Sequence, residues 1–486
     1  MQSIRKNYLY SISYQILAII IPLVTVPYLT RTIGAEKLGV YAYTNSVAYY
    51  FLLASMLGMS NYGNRTIAAC RDNQDLLNRR FSELLKMQLS FGFIVLISYA
   101  AYLTILYLQN KDLFIPSVIW GLYIVSGVFD ISWFYWGIEK FSVTVLKNIV
   151  IKIVTTLGIF LFIRSSEDLY VYISLIASSS FICSLAVWTQ LRKNVKYIHV
   201  SFRQAYQHFR GNLILFIPVI AVSIYTVMDK VMLGNLSPMK ELGFYDNIQK
   251  IMTLPTGIIT ALGAVMLPRI SNLVAKGDND HALSLMTLSM QFSNFSSIAL
   301  AFGLASVAPT FTVVYFGAEF VGTSIIMELF TVTVIFISWA NVIRTQHLIP
   351  QNRDKIYIVS VIAGALINLI INLMLIPKLN ALGAVIGTIC AELAVAVIQT
   401  VAVKDELPIK DFLRDGMLFF IPGIVMMICV RLICNYLGLS LLSLVVQIIS
   451  GAIIYLLLGL FIVFRRKMGI GNEIKKTIMR IKKHGV

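Results

Sequence analysis

Apolar residues run through this chain in blocks too long for the core of a soluble domain. Fourteen stretches, at roughly 8–30, 39–60, 86–108, 113–137, 143–163, 169–190, 211–233, 243–267, 284–308, 323–344, 356–376, 381–403, 415–436 and 441–464, are each long enough to cross a bilayer as a helix. A lipid-exposed span must satisfy its own backbone hydrogen bonds, so blocks of this length predict an all-α integral membrane protein of about 14 transmembrane helices. The polar intervals are asymmetric. Most of the 40 Lys and Arg fall at the two termini or in connections after even-numbered spans. Arg31, Lys37, Lys111, Arg164, Lys240 and Lys378 are the exceptions in the opposite connections. Short basic loops are retained in the cytoplasm, which predicts a multi-pass protein of the cell membrane with both termini cytoplasmic.

Composition narrows the class further. With 58% hydrophobic and 13% charged residues there is too little polar surface to cover a soluble globule of 486 residues. The net charge of +17 is spread over every inward loop and not gathered in one groove, which argues against nucleic acid as a partner. In the tail, Ile470, Ile474, Ile478 and Ile481 share a helical stripe among Lys475, Lys476, Arg480, Lys482 and Lys483, the pattern of an interfacial helix on anionic lipid. The five cysteines are an odd number without a C-x-x-C pair, so neither a disulfide framework nor a metal site is expected. Arg5 and Lys6 precede a long apolar run without a small-residue cleavage site, the pattern of an uncleaved first span.

The chain also repeats itself. Glu36-Lys37-Leu38-Gly39-Val40-Tyr41 is echoed 204 residues later by Lys240-Glu241-Leu242-Gly243-Phe244-Tyr245, and Arg65 meets Arg269 at the same offset. Parallel repeats of this kind predict two six-helix lobes, 1–207 and 208–404, related by a pseudo-two-fold axis along the membrane normal. Residues 405–464 then form two additional C-terminal helices, and 465–486 a basic cytoplasmic tail. Leu77, Phe81, Leu84 and Leu85 beside Arg79, Arg80 and Lys86 predict an amphipathic helix on the inner surface before the third span. Phe202, Tyr206 and Phe209 beside Arg203 and Arg210 predict a second one, connecting the lobes.

Ionisable residues inside a bilayer are costly, so each is a functional candidate. Asp130, Lys152 and Glu392 lie too deep for easy escape to an interface and are expected to face a wet cavity or one another. Asp246 and Lys250, one turn apart, have the spacing of a mutually neutralising pair. Asp229, Lys230 and Arg431 stand near span ends, within reach of the outer interface. Arg65 and Arg269, related by the repeat, and Arg31, on the opposite side, could present guanidiniums to a diphosphate; inner-surface cations obeying the loop bias are the plain alternative for the first two. The amides of Gln291, Asn294, Asn368 and Asn372 read as bonds between helices or the lining of a sugar path. The substrate-binding set is thus Arg31, Arg65, Arg269, Asp130, Lys152, Lys250 and Glu392. No Gly-x-x-x-x-Gly-Lys run is present for ATP, and the outward connections are too short for a catalytic domain. A non-enzymatic carrier or a scaffold remains.

At four stretches the chain resembles the polysaccharide-transport (Wzx-type) flippases of the multidrug/oligosaccharidyl-lipid/polysaccharide exporter superfamily. They are Tyr28 to Tyr41, Asp130 to Phe141, Met228 to Gly234 and Leu382 to Thr388. The resemblance implies a V-shaped bundle of two six-helix lobes plus two helices, moving an undecaprenyl-diphosphate-linked oligosaccharide between leaflets while its lipid tail stays in the bilayer. It also implies that Arg65 and Arg269, matching arginines near the cytoplasmic ends of the second and eighth helices of relatives, help hold the pyrophosphate. The partners expected are the lipid-linked oligosaccharide, membrane lipids and polysaccharide polymerase machinery. No cofactor is expected, and the first span contains no acidic residue, unlike many drug-exporting cousins, which leaves H+ or Na+ coupling open. A teichoic-acid precursor flippase, a cation-coupled multidrug exporter and a non-transporting scaffold are the competing readings.

Overall fold

A computed structural model describes residue 17, residues 20–473 and residue 475. Among them every regular element is a helix, and eleven helical segments are long and apolar enough to cross a membrane. The chain is therefore a multi-pass membrane protein. Its residues form two compact units, one up to Gly243 and one from Phe244 onward.

In the first unit, residues 20–32 are helical, and then follow α1 (Ala35–Met56), α2 (Met59–Ala68), α3 (Gln74–Gln109), α4 (Lys111–Val128), α5 (Ser132–Gly137), α6 (Phe141–Phe162), α7 (Leu169–Trp188), α8 (Phe202–Tyr206) and α9 (Phe209–Leu236). The start of α10 (Met239–Ala275) also belongs to it. Helix starts follow local chemistry. The Asn73 side chain accepts the Leu76 N–H at 3.0 Å to begin α3, and Ser201 with Gln204 closes a reciprocal capping box on α8. Helix α1 packs on α3, α4 and α9. Its contact with the start of α10 is backbone on backbone. A Cβ on Gly39 would lie 1.8 Å from the Met239 carbonyl oxygen, and one on Gly243 1.8 Å from that of Ala35, so no side chain fits at either position. The two glycines of the sequence repeat thus meet each other's segments reciprocally.

The predicted surface helix before the third span does not exist as a separate element. Its residues are the first turns of the 36-residue α3, and Leu77, Phe81, Leu84 and Leu85 are buried in a core with Trp133, Phe134 and Tyr135. An apolar stripe beside cations fits a membrane surface and a protein core equally well, and here α5 and α8 cover it. The second predicted surface helix is the short α8, with Phe202 and Tyr206 exposed and the Lys86 ammonium over the Phe202 ring. Of the predicted tail helix, only Ile470 and Lys475 lie within the described residues.

The second unit contains most of α10, then α11 (Asn279–Phe311), α12 (Ser324–Phe330), α13 (Val332–Ile343), α14 (Asp354–Leu379), α15 (Ala381–Ala402), α16 (Ile409–Leu437) and α17 (Leu441–Arg465). Helix α11 is its axis, packed by α13, α16 and α17. Small and polar side chains line those contacts, as expected where lipid removes the hydrophobic drive for helix association. Asn294 donates to the Phe412 carbonyl at 3.2 Å, Gln447 to Thr310 at 2.9 Å and Tyr455 to the Phe295 carbonyl at 2.8 Å. Helices α14 and α15 form a close hairpin in which a Cβ on Gly387 would lie 2.0 Å from the Asn372 amide oxygen.

Candidate functional site

The most specialised polar centre of the first unit is a broken span. Helix α4 stops at Val128 and α5 restarts at Ser132, which frees backbone carbonyls at membrane depth. One side chain meets three of them. Gln88, 2% exposed on α3, directs its Nε2 at the carbonyls of Gly127, Val128 and Asp130 at 3.2, 3.0 and 2.9 Å, while its Oε1 accepts the Trp133 indole N–H at 2.8 Å. The Phe129 carbonyl is taken by the Trp188 indole at 2.8 Å. The Asp130 carboxylate caps the restart, accepting the Ser132 N–H at 2.8 Å. Discontinuous helices with satisfied ends are how transporters place an ionisable group inside a membrane. Lys147, on α6, is electrostatically linked to Asp130, and its buried Nζ has no hydrogen-bond partner among the described residues. Sequence reasoning passed over Gln88 and Lys147, the first because its three carbonyl partners lie about forty residues away and the second because it sits near the basic connection before its span.

The other candidates of this unit are spread out. Arg31 is exposed in the helix of residues 20–32, Arg65 is exposed in the last turn of α2, and Lys152 is half-buried on α6. Asp229 is buried, at 1% exposure, and does not extend its carboxylate to water. At the basic ends of the helices a second polar centre appears. Glu83 on α3 is fully buried and engages Arg79 at 3.1 Å, Arg80 at 2.8 Å and His208 Nε2 at 2.9 Å, and Tyr62 bonds the other imidazole nitrogen at 2.9 Å. Nearby, Lys86 donates to the Val200 carbonyl and Ser82 accepts the Ile198 N–H, so the connection from α7 to α9 is stitched to α3. The Arg79-to-Glu83 spacing of four was the readable signal for this centre.

In the second unit, Asp246 and Lys250 form the ion pair their spacing predicted, at 2.7 Å. Glu392 is 8% exposed on α15. Arg431 pairs with Glu328 at 2.8 Å and donates to the Ala305 carbonyl at 2.8 Å, so its charge is neutralised within the unit. Arg269, exposed near the end of α10, lines a cleft of about 740 Å³ with His281, Ser284 and Thr287 of α11 and with Gly469, Asn472 and Glu473. Gln291 bonds between elements, donating to Asp415 at 2.9 Å and accepting the Ile470 N–H at 3.3 Å. In the connection before α16, Glu406 accepts from Arg353 at 2.6 and 2.7 Å and from His347 at 2.8 Å. Partial burial resists its ionisation, but the His347 and Arg353 bonds outweigh that and hold the carboxyl below its ordinary range.

A profile of the family described as "Polysaccharide biosynthesis protein" matches residues 4–274, more than half of the chain. The chain belongs to that family. The match spans α1 to α10 and takes in Arg65, the broken span and Arg269. Two relatives bearing the name "Putative O-antigen transporter" are each 22% identical to this family member. The one from Shigella dysenteriae aligns over 79% of this chain and 96% of its own, that from Escherichia coli (strain K12) over 83% and 97%. A solved structure titled "Lipid II flippase MurJ, inward closed conformation" superposes with a TM-score of 0.71, covering 95% of this chain and 99% of that one at 18% identity, which establishes a shared fold. These are transporters and flippases, so the chain falls in a family of Wzx-type flippases and not among catalytic enzymes.

Proposed function

We propose that this protein is a flippase that moves an undecaprenyl-diphosphate-linked oligosaccharide repeat unit across the cytoplasmic membrane for a surface polysaccharide such as capsule. The observation that carries the reading is a family match covering the arginine-bearing helices in a chain whose full-length relatives bear the name O-antigen transporter. The fold it shares with a lipid II flippase adds support. A lipid-anchored diphosphate needs cations for its head and hydrocarbon for its tail, and never needs its tail to leave the bilayer.

The 14-helix count is supported by adding the helix of residues 20–32, α1 and α9 to the eleven apolar segments. Division into lobes 1–207 and 208–404, with 405–464 appended, is supported by the sequence repeat. In this reading Arg65 and Arg269 hold the diphosphate with help from Arg31, and Asp130, Lys152, Lys250 and Glu392 line the path. Guanidiniums suit the task because their fixed fork meets two phosphate oxygens at once.

Deleting the gene is expected to accumulate one lipid-linked oligosaccharide on the cytoplasmic face, identified by mass spectrometry of extracted lipids. Complementation with Arg65→Ala plus Arg269→Ala should fail while the protein is still inserted. Accumulation of a teichoic-acid precursor would move the substrate within the same class; full complementation by the double variant would remove the two arginines from the mechanism.

A further inference from the structure

A second cationic compartment lies beside the Arg269 cleft in the second unit, and the flippase reading does not use it. It encloses about 390 Å³ between the first turns of α16 and the turn that follows α17, and is lined by Arg414, Asp415, Leu418, Arg466, Lys467 and Met468 around Gln291 and Gly469. We propose that this compartment binds the phosphate of an anionic phospholipid on the membrane face that carries the basic connections.

The site is built before any ligand arrives. Gln291 is 7% exposed and fixed at both ends of its amide, to the Asp415 carboxylate at 2.9 Å and to the Ile470 N–H at 3.3 Å, so it holds the floor and pins the post-α17 turn against α11 and α16. The charge balance favours an anion. Arg414 is already paired with Asp411 at 3.0 Å and lies 3.8 Å from Asp415, and Asp415 is engaged by Gln291, which leaves Arg466 and Lys467 as the lining cations available to an anion. The Arg466 and Lys467 side chains have no hydrogen-bond or ion-pair partner among the described residues. A guanidinium fork next to a compact ammonium suits a phosphodiester, which offers two oxygens and a single charge.

Depth separates a lipid from a soluble anion. Just before the turn, α17 exposes Leu457, Phe461 and Phe464, and the Arg465 guanidinium and the Lys475 ammonium lie over the Phe461 and Phe464 rings. Cations at the end of an apolar helix face reach the headgroup level of a bilayer while their stems lie along the hydrocarbon. Leu418 and Met468 give the compartment an apolar wall that an acyl-glycerol can occupy and a free phosphate cannot use. Residues 476–486 do not complement the site, because their charged side chains are Lys476, Arg480, Lys482 and Lys483, with no acidic side chain among them.

The test is retention of a short-chain phosphatidylglycerol by the purified full-length protein, read by native mass spectrometry against phosphatidylcholine. Wild type should retain phosphatidylglycerol selectively. Arg466→Ala plus Lys467→Ala should weaken that retention about tenfold or more, given the usual strength of a cation near an anionic headgroup. Exchanging the two cations, Arg466→Lys plus Lys467→Arg, should recover most of it and guards against a folding defect, as does an unchanged melting temperature in phosphatidylcholine. Lys475→Ala plus Lys476→Ala, with Lys475 outside the compartment lining, should reduce retention distinctly less than the 466/467 change does. The proposal is overturned if the 466/467 variant binds as wild type does. It is equally overturned if the 475/476 variant loses as much, which would mean diffuse attraction, or if inorganic phosphate displaces the lipid at equal concentration, which would mean a free-anion site.

Discussion

Among the described residues each unit contains a carboxylate held by both a histidine and an arginine, and the two are built in opposite senses. In the first unit the helix α3 supplies the acid, Glu83, and the connection before α9 supplies the imidazole, His208. In the second unit the connection before α16 supplies the acid, Glu406, and the segment after α13 supplies the imidazole, His347. Both fasten a connecting segment to the ends of packed helices. They differ in burial: the Glu83 side chain is 0% exposed, whereas that of Glu406 is 43% exposed. Water can replace the partners of the second carboxylate and cannot reach the first, so equal chemistry carries unequal energetic weight.

That difference is open to attack, most forcefully at Glu83. Glu83→Ala removes the partner shared by the buried His208 and by Arg79 and Arg80, whose side chains are 53% and 34% exposed and stay hydrated, and should cost about 3 kcal/mol, seen as a clear fall in melting temperature of the detergent-solubilised protein. Glu83→Gln keeps hydrogen bonding and should cost distinctly less. Burial should govern uncharged groups as well. Gln88→Leu conserves approximate size but removes the partner shared by the carbonyls of Gly127, Val128 and Asp130 and by the Trp133 indole; the Gly127 carbonyl keeps the Asp130 N–H at 3.3 Å, and the loss should be about 1–3 kcal/mol, checked by the same thermal measurement and by faster hydrogen exchange over residues 127–135. Glu406→Gln should cost less than about 1 kcal/mol, and the loss should shrink further in high salt. If Glu406→Gln proved as damaging as Glu83→Ala, burial would not be the deciding variable.

The smallest effect concerns pH. Because the Glu406 carboxyl is depressed in the folded protein, its contribution is complete at pH values above the unfolded value of about 4.3 and disappears as pH falls through the lower folded value. The difference in melting temperature between wild type and Glu406→Gln should therefore be constant around neutrality and vanish in strong acid.

The membrane class was readable because span length and charge bias are set by the bilayer itself, which imposes the same constraint on every such chain. The Asp246–Lys250 pair was readable for a related reason, since a charge at membrane depth must be satisfied and the nearest partner is one helical turn away. What escaped was whatever depends on a distant partner. Gln88 looks like any polar residue in a span until the break between α4 and α5 is brought against it, and Arg431 looks like an interfacial cation until Glu328 arrives from more than a hundred positions away. The stripe of Leu77, Phe81, Leu84 and Leu85 was correctly seen as a face, but periodicity does not say whether lipid or protein covers it.

The central claim is transport of a lipid-linked oligosaccharide, and purified protein in sealed vesicles tests it most directly. With a fluorescently labelled undecaprenyl-diphosphate oligosaccharide placed in one leaflet, wild type should move the headgroup to the other leaflet many times faster than protein-free vesicles, and Arg65→Ala plus Arg269→Ala should return the rate to near that background. Translocation no faster with wild-type protein than without it would contradict the account.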